Sequence, residues 1–248
     1  MVGMNILKDI VRSAGSYPNR NAFVIEGIAY SYGELFAFVN GIHSFLVERE
    51  EDIIGVVAEN RVETYASILA VLLSGKTYVI LHPHYPDNRN NKIREAGDIR
   101  VVLYADECRM AEAMPEDVNF ICIRELRNER NAEYNYGTED SKAYIIFTSG
   151  STGEPKGVPI TRRNLNAFYS AYSALGWKLE EDDRMLQMFE LTFDVSVVST
   201  LYPLTVGASV YTVGAGEMKY TKVYELLEDE RLTFAAIAPS LLQFLSPY

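Results

Sequence analysis

Apolar positions near the N-terminus recur three and four residues apart, so that Ile6, Leu7, Ile10 and Val11 fall on one side of a helix that Asn5 caps and Gly15 ends. In AFVIEGIAYS two β-rich runs flank Glu26 and Gly27, and the tolerance of glycine for positive φ makes that pair a two-residue hairpin turn. Ser31 and Glu34 have the spacing of a capping box. After them Leu35, Phe38, Val39, Ile42, Phe45 and Leu46 repeat at helical intervals. From Ile53 short apolar runs alternate with helical stretches: IIGVVA, a helix from Asn60 (boxed with Glu63) to Gly75, TYVIL, a short helix after Asp87, RVVLY, a helix after Asp106, and NFICI. Strands that are apolar throughout and separated by helices predict an α/β fold with a parallel sheet covered on both faces.

Residues 124–142 are polar, mixed in charge and without periodicity, which predicts an exposed connector. AYIIFT, a Gly/Ser/Thr run, KGVPIT and a long amphipathic helix after Thr161 follow, and a second series of strands and helices reaches Tyr248. No internal repeat interrupts this order.

Composition narrows the function classes. A chain of 248 residues, 48% apolar and 23% charged, has ample length for a core and the make-up of a soluble globular protein, which excludes a disordered or fibrous chain. The net charge of −11 offers no general attraction to nucleic acid or anionic lipid, so an anionic ligand needs a local cationic site. Cys108 and Cys122 lack metal-binding spacing and are expected to be buried, reduced thiols, as suits a cytoplasmic protein. Lys8, Asp9 and Arg12 interrupt the apolar stretch that a secretory signal would need.

The chemistry concentrates in residues 146–165, IFTSGSTGEPKGVPITRRNL. Thr148, Ser149, Gly150, Ser151, Thr152 and Gly153 offer hydroxyls and unobstructed backbone N–H groups between two β-rich runs, and Lys156 adds a point charge. That combination suits the wrapping of polyphosphate oxygens. A Walker loop is excluded, because Pro155 lies five residues after Gly150, Gly157 follows Lys156, and Pro155 and Pro159 prevent the helix that must start there. A flexible linker of similar composition is the competing reading.

TSGSTGEPKG followed by TRRNL resembles the signature of the adenylate-forming, or AMP-binding, enzymes. That family includes acyl-CoA synthetases, luciferases and nonribosomal peptide synthetase adenylation domains. LAVLLSGKTYVILHPHYP (residues 69–86), LTFDVSV (191–197) and SYGELFAFVNGIHSFL (31–46) extend the resemblance over essentially the whole chain, closest to amino-acid adenylation domains and D-alanine-carrier-protein ligases. Two positions depart from the pattern. His82 stands where Asp is usual, and Arg162 stands where His is usual, at a helix start from which it could still serve an anionic nucleotide. His82 and His84 read as loop residues rather than a metal pair. The NYGTE stretch at residues 135–139 precedes the phosphate loop and lacks the proline of the family's NxYGPTE motif, so it reads as part of the connector.

The resemblance implies two doubly wound α/β subdomains of the family's large N-terminal domain: residues 51–176 as the first, carrying the phosphate loop, and residues 1–50 with 177–248 as a discontinuous, truncated second. It implies ATP and Mg²⁺ as cofactors, and a carboxylic acid that attacks the α-phosphorus and is then passed to the phosphopantetheine thiol of a carrier protein or to CoA. Thr148, Ser149, Gly150, Ser151, Thr152, Gly153 and Lys156 would hold the ATP phosphates. Asp194 would pair with the ammonium of an amino-acid substrate, N-capping of the next helix being its other reading, and Val195, Val198 and Ala236 would line a pocket for a small or medium apolar side chain. The family's TGD motif and terminal catalytic lysine are not found, so no catalytic residue is assigned. The chain is expected to be the N-terminal part of a larger enzyme, inactive alone, with no nucleic-acid or membrane partner. An acyl-CoA synthetase for a non-amino acid and a non-catalytic nucleotide-binding remnant are the alternatives.

Overall fold

The computed structural model describes residues 4–106, 109–128, 132–149, 154–214 and 219–245. Helix α1 (Ile6–Ser16) buries Ile6, Leu7 and Ile10, and the Asn5 side chain accepts the Lys8 N–H at 3.1 Å. Strands β1 (Asn21–Ile25) and β2 (Ile28–Ser31) form the expected hairpin, with φ of 52° at Glu26 and 79° at Gly27, both positive as its tight turn requires. Helix α2 (Tyr32–Leu46) starts from Ser31 with both halves of the capping box made.

Strand β3 (Ile53–Val57), helix α3 (Val62–Leu73), β4 (Thr77–Leu81), α4 (Asp87–Ala96), β5 (Val101–Tyr104), α5 (Met110–Ala113) and β6 (Asn119–Cys122) then alternate. Strands β7 (Lys142–Ser149) and β8 (Pro155–Thr161) form an antiparallel pair that leads into α6 (Arg162–Ser173). The remaining elements are β9 (Arg184–Gln187), α7 (Val195–Leu204), β10 (Ser209–Thr212), α8 (Lys219–Asp229), β11 (Phe234–Ala235) and α9 (Pro239–Leu245). Two sheets result, in the orders β6-β5-β3-β4-β7-β8 and β11-β9-β10-β1-β2. Each is parallel except for its terminal hairpin pair, β7 with β8 and β1 with β2.

Helix α3 buries every residue except Glu63, as a helix apolar on nearly every side must. It packs against α2, and one apolar cluster runs from α1 through both helices to strands of both sheets. Phe23 of β1 stacks on Tyr65 of α3 with ring centroids 4.5 Å apart, and the Tyr32 hydroxyl donates to the Ala208 carbonyl at 2.7 Å. Among the described residues no helix is long and apolar enough to cross a membrane.

Several expectations are corrected. Helix α3 begins after Arg61 without a side-chain cap, and Asn60 instead accepts the Tyr65 hydroxyl at 3.4 Å. The connector is not simply exposed: Leu126, Tyr134 and Tyr136 pack on the core, the Asn128 N–H donates to Ala37 O at 2.9 Å, and Asn135 bridges to Ser74. Its residues pair singly, so no period marks them. Close approach here explains a helical glycine, since a Cβ on Gly41 would lie 2.2 Å from the Leu126 carbonyl oxygen. Cys122 is free and exposed at the edge strand β6 rather than buried, and Cys108 lies outside the described residues.

Candidate functional site

The register of the β7–β8 pair places Tyr144 opposite Ile160, Ile146 opposite Val158 and Thr148 opposite Lys156. Opposed residues share a face and alternate positions repeat it, so these six form one continuous strip. At one end Tyr144 and Ile160 line a mainly apolar cavity of about 450 Å³. Its other walls come from Leu165, Phe168 and Tyr169 of α6, from Val195, Val198 and Tyr202 of α7, and from Asp194 and Ala236. Toward the other end Ile146, Thr148 and Val158 line a second cavity of about 370 Å³ with Tyr85, Arg89, Thr192 and Asp194. Asp194 and Ile160 belong to both. The strip thus leads from an apolar chamber, past one carboxylate, to the strand end where the Gly/Ser/Thr run begins.

Four expected substrate residues, Asp194, Val195, Val198 and Ala236, meet on the first cavity although Ala236 is distant in sequence. Of the expected phosphate residues, Thr148 and Lys156 face each other across the hairpin and are exposed, and Ser149 ends β7 opposite Pro155. Gly150, Ser151, Thr152 and Gly153 lie outside the described residues.

Asp194 occupies the position before α7 with φ −61° and ψ −31°, and its side chain makes no capping bond. The helix start is closed locally instead, by Ser196 Oγ donating to Phe193 O at 2.6 Å. The exposed carboxylate is therefore not engaged by the helix. Its charge reaches Tyr144, whose phenol is pushed up to about 12, first by burial and then by Asp194, and stays a neutral donor at physiological pH. Sequence reasoning missed what holds α7 in place. Ser199 Oγ donates to Gln187 Oε1 at 2.6 Å, and Gln187 Nε2 donates to Phe189 O at 2.7 Å, which ties α7 to the end of β9.

Arg162 does not serve an anionic ligand. It is 3% exposed and its guanidinium donates to the carbonyls of Leu72 and Lys76, each at 3.0 Å, and to that of Lys142, fixing α6 to α3 and the start of β4. Burial lowers its pKa. His82 is also structural: its Nδ1 accepts the His84 N–H at 3.2 Å, its ring stacks on Tyr85 at 4.7 Å, and burial lowers its pKa. Among the described residues no group of three or more His, Cys, Asp or Glu side chains is placed to hold a metal ion.

The profile of the family described as AMP-binding enzyme matches residues 10–247. The chain belongs to that family. Among its relatives, tyrocidine synthase 1 of Brevibacillus parabrevis is 28% identical over 259 residues, covering 99% of this chain and 23% of that protein. Bacitracin synthase 3 of Bacillus licheniformis is 30% identical over 234 residues, covering 90% of this chain and 4% of the relative. The chain therefore spans less than a quarter of either relative. The AMPPNP-bound form of the nonribosomal peptide synthetase FmoA3 superposes with a TM-score of 0.89 at 26% identity, over 99% of this chain and 27% of that one. The Vibrio cholerae adenylation domain AlmE, in complex with glycyl-adenosine-5′-phosphate, shares the fold with a TM-score of 0.85 at 19% identity, over 100% of this chain and 52% of that one. The two parallel-rich sheets are those of the N-terminal part of adenylation-domain structures.

Proposed function

We propose that this chain is the N-terminal part of an ATP-dependent ligase that activates an amino acid as its aminoacyl-adenylate and passes it to the phosphopantetheine thiol of a carrier protein. The observation that carries the reading is Asp194: a carboxylate unused by its helix stands where the apolar chamber meets the strip leading to Thr148. An exposed carboxylate left free by its helix at the rim of that cavity is available to pair with an entering α-ammonium. The peptide synthetases among the relatives support the same class of acid and acceptor.

The residues present fit a nucleotide. Thr148 and Lys156 flank the glycine-containing run from paired strands, so a hydroxyl and a cation stand at its two ends. ATP supplies the leaving pyrophosphate that makes attack by a carboxylate feasible, and Mg²⁺ fits as part of MgATP, shared among phosphate oxygens. The chain's own residues position the reactants. Asp194 holds the ammonium, Val195, Val198 and Ala236 receive a small or medium apolar side chain, Tyr144 remains a protonated phenol beside Asp194, and Lys156 offsets phosphate charge.

In this reading residues 51–176 form the unit carrying the phosphate loop, residues 1–50 with 177–248 form the other, the setting is cytoplasmic, and these 248 residues alone do not catalyse adenylation. Amino-acid-dependent exchange of labelled pyrophosphate into ATP by the complete gene product tests the proposal. Exchange is expected with an apolar amino acid and not with the matching deaminated acid. Exchange with the deaminated acid alone would return the site to an acyl-CoA synthetase, and turnover by the 248-residue chain itself would refute its inactivity.

A further inference from the structure

The cavity shared by Thr148 and Asp194 contains a cation without an assigned task. Arg89, in the first turn of α4, lines it, and its guanidinium stacks over the Tyr85 ring at 4.3 Å. The Arg89 Nε is buried without a hydrogen-bond partner, as are those of Arg94 and Arg162, but Arg94 has Glu95 and Arg162 has three carbonyls, whereas among the described residues no carboxylate forms an ion pair with Arg89. A buried donor without an acceptor is unfavourable unless something else completes it.

Its neighbours on the same helix are neutralised. Lys92, three residues on and so on the same face, pairs with Glu154 at 2.8 Å, and Arg94 pairs with Glu95 at 3.1 Å. The Lys92–Glu154 bridge fastens α4 to Glu154, which follows the Gly/Ser/Thr run in the chain and precedes β8. The platform under the guanidinium is itself held on two sides, by the stack of Tyr85 on His82 at 4.7 Å and by the Tyr85 hydroxyl to Thr192 Oγ1 at 3.4 Å. In a chain of net charge −11, a cation on an oriented support with a spare donor is suited to an anion that arrives with the substrates.

We propose that Arg89 is an oxyanion-binding residue for the polyphosphate of the nucleotide, acting from the α4 wall of the cavity while Thr148 and Lys156 act from the β7–β8 hairpin. The inference rests on the ATP-dependent reading above and adds a second, planar cation to it. The guanidinium fork can take two phosphate oxygens at once, which the ammonium of Lys156 cannot.

The test is calorimetric titration of inorganic pyrophosphate and of MgATP into the 248-residue chain, as wild type, Arg89→Met and Arg89→Lys. Methionine keeps an apolar stem over Tyr85 and removes the charge, and lysine keeps the charge without the fork. Loss of a bidentate charged contact is expected to raise both dissociation constants about tenfold in Arg89→Met and by less in Arg89→Lys. In exchange assays of the complete gene product, the KM for the acid is expected to stay within about twofold while that for ATP rises. Unchanged pyrophosphate affinity in Arg89→Met overturns the proposal, as does absence of pyrophosphate binding by the wild-type chain. A rise confined to the KM of the acid also overturns it and assigns the guanidinium to the substrate carboxylate. If Arg89→Met lowers Tm, the Arg89→Lys comparison decides on the same criteria. Reduced pyrophosphate affinity in the variants, together with no amino-acid-dependent exchange by the wild-type complete gene product, would uphold Arg89 and refute the amino-acid reading separately.

Discussion

Replacing Asp194 by Asn separates the ligand role of this side chain from a structural one with little collateral change. The carboxylate makes no bond to α7, so exchanging one oxygen for an amide nitrogen is expected to leave stability within about 0.5 kcal/mol, as for a surface substitution. The effect on substrate is larger. Opposite charges about 4 Å apart attract by roughly 4 kcal/mol at an effective dielectric constant of 20. Asp194 is exposed in this chain, and the amide dipole of Asn retains part of the attraction, so about 2–3 kcal/mol is the expected loss, or about 30- to 150-fold in kcat/KM for the amino acid. The assay is pyrophosphate exchange by the complete gene product, varying the amino acid at saturating MgATP and then the reverse. The KM for ATP is expected to move less than about twofold, since uniform loss of both substrates would indicate a displaced helix instead. A loss below about threefold for the amino acid, in a variant of unchanged Tm, would refute the pairing of Asp194 with a substrate ammonium.

The same geometry sets three further outcomes. In Asp194→Asn the phenol of Tyr144 is expected to titrate below its present value of about 12 yet above an ordinary tyrosine, because one of its two causes is gone while burial persists, and the assigned Cζ resonance of Tyr144 in a ¹³C-tyrosine-labelled sample followed to alkaline pH checks it. Glu34 is held below the usual carboxyl value by the Ser31 N–H and hydroxyl, so its contribution is present in full above the ordinary value of 4.5 and is lost as pH falls through its lowered one. Glu34→Gln should therefore flatten the acid limb of a stability-against-pH curve measured by urea unfolding. Gly41→Ala should lower stability by about 1–3 kcal/mol, against the gain of about 1 kcal/mol usual for this exchange in a helix, because the added Cβ would meet the Leu126 carbonyl at 2.2 Å. A denaturation midpoint at or above wild type would contradict that steric argument.

The parts of the molecule that could be read from sequence are those specified by residues close together in the chain. Asn5, the Glu26 and Gly27 turn, and the Ser31 and Glu34 box act over at most three positions, and their local chemistry leaves few alternatives. The strands β3 to β5 were legible because burial on both faces makes them apolar throughout. Contacts set by tertiary approach were not. Arg162 opens a helix in sequence and reads as available, yet its partners are carbonyls about 90 residues away, at Leu72 and Lys76. The single pairings of Asn128 and Asn135 follow no period, and the exposure of Cys122 depends on β6 being an edge strand. At the candidate site, the fixed order from Thr148 to Lys156 was visible from composition and spacing. The α7 to β9 tie through Ser199 and Gln187, and the unpartnered donor of Arg89, exist only once distant segments meet.

Helix α3 has no face turned to solvent, because α2 and strands of both sheets close around it and Phe23 reaches it from the second sheet. The lineage of this chain is consequently poorly suited to recombination at the boundary between its sheets. A graft that exchanged residues 51–176 for those of a relative would bring a foreign α3 against resident α2 and β1, and the mismatch would be felt at each of those contacts. Exchange confined to the walls of the apolar chamber, at Val195, Val198 and Ala236, leaves that shared helix untouched. On the proposed reading of that chamber, substrate preference would then be open to change while the scaffold stays inherited as one piece.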